Sequence, residues 1–217
     1  MSRFVLQSGL GVSIGDVAHA RDIFLDKTYR QETGRKEFYS AQYEVATYVE
    51  DLMQELNGEQ FKESVNNLWQ AFQELSTKPA ISTNQNLVLQ KAELLVTRSQ
   101  SIYSDLKSYQ SNINQQIKDD VDRVNEIGNR VYELNLKIQK VEAGGVETAM
   151  TLRDERDSLL DELGQYGRMD VTEDATGFCF VDFEGVRFID DHTCYNIGLN
   201  TAKGTGFYTP YLSLIHI

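Results

Sequence analysis

The chain has 217 residues, with 21 basic and 33 acidic side chains and a formal charge of −12. A chain this acidic is poorly suited to gripping phosphate backbones, which disfavours general nucleic-acid binding. No window approaches the roughly 18 apolar residues of a membrane span, Phe4-Val5-Leu6 is too short for a secretory leader, and two cysteines do not make a disulfide scaffold.

Residues 1–20 end in an alternating run, Val12-Ser13-Ile14-Gly15-Asp16-Val17, which reads as a strand leading into a helical region. From Asp22 to about Leu56 the period changes. Phe38, Val45, Val49, Leu52 and Leu56 recur three, four or seven apart, one face of a helix. Gly34 marks a candidate bend, and Asn57-Gly58 reads as the stop. Phe61, Val65, Leu68, Phe72 and Leu75 follow at spacings of four, three, four and three, a heptad seam with Trp69 beside it. It ends at Ser76-Thr77-Lys78-Pro79, because the residue before a proline avoids helix.

A long helix is expected from about Asn84 to Val141. Its seam takes in Leu87, Leu94, Leu106, Tyr109, Ile113, Ile117, Val121, Val124, Ile127, Val131, Leu134, Ile138 and Val141. The successive four-residue steps from Tyr109 to Val121 are a stutter. Such a helix reaches roughly 85 Å and must lie against other helices for most of its length. Ala143-Gly144-Gly145 is a turn, and helix resumes from Glu147 to about Tyr166, folding back antiparallel. After Gly167 the period drops to two. Val171, the run Phe178 to Phe183, and Val186, Phe188 and Ile189 read as strands, with a tight hairpin at Glu184-Gly185. The fold class is mainly α: an elongated antiparallel, coiled-coil-like helical rod (21–166), then the start of a small β domain (167–211). The last residues, Leu212-Ser213-Leu214-Ile215-His216-Ile217, match a translated sequencing adapter. The natural chain is therefore expected to continue past about Tyr211, and His216 is given no role. A short native strand is the alternative.

Chemistry is sparse. Gly9-Leu10-Gly11 lacks the third glycine of a dinucleotide loop, and no nucleophile elbow is present. The densest polar cluster is Asp190-Asp191-His192-Thr193-Cys194, with Cys179 upstream. A metal held by Cys179, His192 and Cys194 is conceivable, but no ligand pair has the spacing of known sites, and a polar turn beside two small apolar cysteines is favoured. A Cys179–Cys194 disulfide stays open. On Leu152-Arg153-Asp154-Glu155-Arg156-Asp157-Ser158-Leu159-Leu160 the arginines are expected to pair along their own helix, Arg153 with Asp157. Tyr39, Tyr43, Tyr48, Tyr103, Tyr109 and Tyr132 offer amphipathic contact area suited to wet interfaces. Catalytic, cofactor and metal residues are therefore expected to be absent.

The order of parts resembles the flagellar hook-associated protein 1 family. The residues that carry the likeness are Leu10-Gly11-Val12-Ser13-Ile14 with Arg21-Asp22-Ile23-Phe24-Leu25-Asp26, then Leu68-Trp69-Gln70-Ala71-Phe72-Gln73-Glu74-Leu75-Ser76 with Pro79. The strongest stretch is Leu152 to Leu163, and the likeness spans about residues 9–190. The resemblance implies a non-enzymatic structural protein of the bacterial flagellum, extracellular and exported by the flagellar type III route without a cleaved leader. It implies self-association, contact with the hook protein and the next hook-associated protein, an export chaperone for the full-length protein, and no cofactor, nucleic acid or membrane. The family's N-terminal helix with Pro-Gly-Tyr-Ser is not upstream of Ser8, and its C-terminal half is not present after Tyr211, so an internal fragment is implied. Asn86 stands where relatives tend to carry an arginine. Other readings stay open: a flagellin or the third hook-associated protein, a free-standing secreted or phage coiled-coil protein, and an enzyme with a metal at His192 and the cysteines.

Overall fold

A computed structural model describes residues 23–54, 61–144, 148–201 and 204–212. The expected strand at Val12–Val17, Leu56, the Asn57-Gly58 stop, Gly145 and Ser213–Ile217 lie outside the described residues. Among the described residues four helices, α1 (Ile23–Gln54), α2 (Phe61–Thr77), α3 (Ser82–Glu142) and α4 (Met150–Leu163), precede five strands. These are β1 (Met169–Glu173), β2 (Cys179–Phe183), β3 (Val186–Ile189), β4 (Ile197–Thr201) and β5 (Tyr208–Leu212).

The 61 residues of α3 form the axis; at 1.5 Å per residue they span about 90 Å. Helix α2 runs back along its N-terminal half after a turn that side chains tie down. Asn84 Nδ2 donates to the carbonyls of Glu74 at 3.2 Å and Lys78 at 3.4 Å, and Gln85 Nε2 donates to that of Pro79 at 2.9 Å. These bonds tie the first turn of α3 to the end of α2 and to the loop between them, adding to the backbone bonds that the Glu74 and Lys78 carbonyls accept from Lys78 and Ile81. Helix α1 also descends α3. Near its start Arg30 Nε donates to Asp161 Oδ1 at 2.8 Å and Lys27 pairs with Asp170 at 2.7 Å. Towards its end Tyr48 stacks on Tyr109 with ring centroids 3.9 Å apart.

α1 passes through Gly34 without a break in the helix. A Cβ there would meet the Gly164 carbonyl oxygen at 2.8 Å, so the glycine serves a close approach between α1 and the end of α4. Helix α4 is shorter than its sequence suggests, and it lies antiparallel to α3, with Arg153 beside Glu142 and Glu162 beside Arg123.

Strands β1, β2 and β3 form an antiparallel sheet in that order. The Glu184-Gly185 turn has φ of 51° and 78°, the left-handed pair that a two-residue hairpin requires. A bulge between Val181 and Asp182 shifts the β2–β3 register. It lets the consecutive residues Phe188 and Ile189 both enter the core, which strict alternation forbids. Strands β4 and β5 form a second antiparallel pair that sequence analysis did not anticipate, with Leu212 opposite Ile197. Helices and strands share one core: Val124, Ile127 and Val131 of α3, Leu160 and Leu163 of α4, and Met169, Phe178, Val181, Phe188 and Ile189. Along α2 and the first half of α3, by contrast, the described buried residues are few: Ser64, Ala71, Val88 and Ile102.

Candidate interaction surface

The thin end of the rod leaves one flank uncovered. In α2 the inward side is Ser64, Leu68, Ala71 and Leu75, a seam one residue away from the expected Val65 and Phe72. Small Ser64 and Ala71 let α2 approach α3 closely. Val65, Phe72 and Trp69, the last 65% exposed, are displaced to the side instead. In α3 the inward residues are Val88, Leu95 and Ile102, seven apart, while Leu89, Val96 and Tyr103 form a second heptad stripe, each more than half exposed.

Both outer stripes fall one residue after an inward one, a rotation of about 100° in the chain direction. In antiparallel right-handed helices that rotation leads to the same flank of the pair. Val65, Trp69 and Phe72 therefore share a flank with Leu89, Val96 and Tyr103. In α1, also antiparallel to α3, Phe38, Val49 and Met53 follow the inward-turned Glu37, Tyr48 and Leu52 by one, and Val45 shares their stripe; all four are exposed. The apolar flank thus runs from α1 onto α2. The other flank of α2, Glu63, Asn67, Gln70 and Glu74, is polar. A cleft of about 1150 Å³ lies between α1, α3 and the strands, with Phe38, Ala41, Ile117, Val121, Phe183 and Ile197 in its walls.

The opposite end is held by charge. Arg156 is 1% exposed. It donates to the Gly177 carbonyl at 2.7 Å, Asn135 Oδ1 at 3.1 Å and Glu173 Oε2 at 2.8 Å, joining α4 to α3, to β1 and to the turn before β2. Asn135 Oδ1 also accepts from the Cys179 amide at 3.2 Å, and its amide donates to the Cys179 carbonyl at 2.8 Å. Arg153 bridges Glu142 and Glu173 at 2.7 Å each. Its guanidinium, with the Ala149 N–H, holds the Glu142 carboxyl down at about 2 against the effect of burial. These arginines reach across to other elements where pairing along α4 was expected. Sequence spacing alone could not find partners on another helix and a strand.

The structure separates the residues considered for a metal. Cys179 is buried at the start of β2, with its Sγ directed to Glu173 at 3.4 Å. Cys194 sits in a bridge opposite Ile189, and His192 is 85% exposed on its side chain. Both cysteines are free, and burial pushes both thiols up to about 12. Among the described residues no group of three His, Cys, Asp or Glu side chains is placed to hold a metal ion. Of the rod tyrosines, Tyr39, Tyr43 and Tyr103 are exposed, Tyr48 and Tyr109 stack on each other, and the Tyr132 hydroxyl donates to the His192 carbonyl at 2.9 Å. What this arrangement offers is apolar area along a stiff axis.

A family model described as "Flagellar hook-associated protein FlgK helical domain" matches residues 46–210. Flagellar hook-associated protein 1 of Bacillus subtilis (strain 168) is 28% identical over 171 residues, which is 79% of this chain and 34% of that protein. The solved structure of the flagellar hook junction protein FlgK from Burkholderia pseudomallei is similar with a TM-score of 0.67 at 16% identity. That match covers 83% of this chain and 31% of the other, and it shows the fold. The chain thus spans about a third of the length of these relatives.

Proposed function

The chain belongs to the flagellar hook-associated protein FlgK helical-domain family, and on that premise we propose that it is a structural part of the bacterial flagellum that joins hook to filament. It works by side-to-side packing of rods and catalyses nothing. The single observation that supports this best is the 61-residue α3, whose N-terminal half carries an uncovered apolar stripe at heptad spacing. A helix of that length with so little cover is suited to burial between subunits. The neighbours of such a subunit are the hook protein and the next hook-associated protein. It reaches the cell exterior through the flagellar type III export channel, without a cleaved leader and with an export chaperone bound to the full-length protein. The charge of −12 suits a soluble export cargo.

Disruption of the encoding gene in its motile host tests this reading. The expected outcome is non-motile cells that carry hooks without filaments and release filament protein into the medium. Normal filaments on the disrupted strain would overturn it.

A further inference from the structure

We propose that Asn114 is a latch: with Asn125 it pins the β4–β5 ribbon lengthwise on α3, and its release lets the ribbon pivot about its Ile197–Leu212 end. The inference goes beyond the flagellar reading and holds whatever the rod packs against. It starts from a pattern of amides on α3. Asn135 donates to the Cys179 carbonyl at 2.8 Å and accepts from the Cys179 N–H at 3.2 Å. Asn125 does the same at Ile197, at 2.9 Å and 2.7 Å. Asn114 accepts from the Tyr208 N–H at 2.7 Å and donates to the Gly206 carbonyl at 3.4 Å. Cys179, Ile197 and Tyr208 are the first residues of β2, β4 and β5. Each asparagine thus stands in for a peptide unit of a neighbouring strand, and the strands step back along α3 in chain order. Asparagine is a poor helix former, but its short planar amide carries one group that donates and one that accepts, as a strand edge requires.

Two features make Asn114 a latch and not one more anchor. The first is length. Asn114 and Asn125 are eleven residues apart, close to three whole turns, which puts them on one face and about 16 Å apart. Ile197 to Thr201 is four strand steps, about 14 Å, and Thr201 pairs with Tyr208. The two asparagines therefore reach opposite ends of the ribbon. The second is the unequal hold on those ends. Among the described residues β4–β5 shares no ladder with the β1–β2–β3 sheet. At the near end Ile197 and Leu212 pack against the shared core, and the Tyr195 N–H donates to the Phe188 carbonyl at 2.8 Å. At the far end Phe207 and Tyr208 are half-buried and lie outside that core. A two-stranded ribbon is marginal by itself, so its angle depends on what holds its free end. Pivoting turns β5 against the rod axis, so the Asn114 amide sets the angle between ribbon and helix.

Nitroxide distances between Lys137→Cys on α3 and Thr209→Cys on β5, measured in the 217-residue chain by pulsed electron paramagnetic resonance, test the proposal. Both positions are exposed, so they label well ahead of Cys179 and Cys194, whose thiols burial pushes up to about 12. With Asn114 in place the distance distribution should be single and narrow. Asn114→Ala should shift and broaden it. It should also speed exchange of the Tyr208 amide hydrogen about 10-fold or more, the size expected for losing one or two hydrogen bonds. Exchange in β1, β2 and β3 and the urea midpoint should stay unchanged. Asn114→Asp keeps the acceptor for the Tyr208 N–H and should stay closed. Gln115→Ala, one residue off the face, should alter neither readout. An Asn114→Ala chain whose distance stays narrow overturns the proposal even if Tyr208 exchanges faster, because loss of an acceptor alone does that. So does a broad distribution with Asn114 present, or an Asn114→Asp chain as open as the alanine variant. Faster exchange throughout β1, β2 and β3 in Asn114→Ala also overturns it, since Asn114 would then support the core and not the ribbon.

Discussion

Removing the Arg156 side chain tests whether the charged end of the rod is held as described. In Arg156→Ala the buried Gly177 carbonyl loses its 2.7 Å donor, at a cost of about 1–3 kcal/mol. Asn135 Oδ1 keeps the Cys179 amide and Glu173 keeps Arg153, so those two losses are partial. The vacated space around the aliphatic stem adds about 1–2 kcal/mol. Together these give about 2–5 kcal/mol, which overlaps the roughly 3–5 kcal/mol for breaking a buried pair by removing one partner. For a chain of this size that is a drop in Tm of about 10 °C. The assay is urea and thermal unfolding followed by far-ultraviolet circular dichroism. Arg156→Met retains most of the stem and isolates the polar part, about 1–3 kcal/mol. With Glu173→Gln added, the double variant should lose less than the sum of the singles by about 1 kcal/mol or more, because the two groups bond each other at 2.8 Å. A loss under about 1 kcal/mol for Arg156→Ala would refute the reasoning.

Gly128→Val should destabilise by about 2–3 kcal/mol despite lying in a helix, since a Cβ there comes within 2.5 Å of Phe188 and 2.8 Å of Cys194 Sγ; a urea midpoint at or above wild type would contradict the packing. Glu142 titrates lower folded (about 2) than its usual 4.5, so its contribution is fully present above about pH 4.5 and is lost as pH falls towards 2. Glu142→Gln should accordingly flatten stability against pH in that window and lower it at pH 7, which urea titrations at several pH values would show. Cys179 and Cys194, with thiols held up at about 12 by burial, should react with iodoacetamide at pH 8 far more slowly in the native chain than in urea, as mass spectrometry of the labelled protein reads directly.

The helices and first three strands were legible because apolar period and turn chemistry carry them. Pro79 ends one hairpin arm, and Glu184-Gly185 supplies the left-handed pair of another. The facing side of α2 was not legible. Phe61, Val65, Leu68, Phe72 and Leu75 satisfy a heptad as well as Phe61, Ser64, Leu68, Ala71 and Leu75 do. What decides between them is the close approach of α3, a tertiary fact. The pair β4–β5 escaped for a similar reason. Gly198 breaks the apolar alternation, yet it faces Tyr211, whose ring fills the space a Cβ would take, 2.6 Å away. The interaction surface was half legible. Trp69 and the tyrosines pointed to contact area, but Leu89 and Val96 belonged to no predicted seam, and only the handedness of an antiparallel pair puts them beside Trp69. The partners of Arg153 and Arg156 lie on α3, β1 and the loop before β2, where i,i+4 spacing has no reach.

The buried core is unevenly distributed along α3. Val121 to Ile138 are enclosed by α4 and the strands, while the helix before about residue 106 leans mainly on Val88 and Ile102. One unbroken helix therefore belongs to two cooperative units of different local stability. Amide hydrogens on its C-terminal half should exchange only with global unfolding, and those nearer Ser82 should exchange through fraying of the hairpin at far lower free energy. The same backbone thus has a rigid end and a yielding end without a proline or glycine hinge between them. Force applied along it would unzip the hairpin well before it disturbed the β-bearing end.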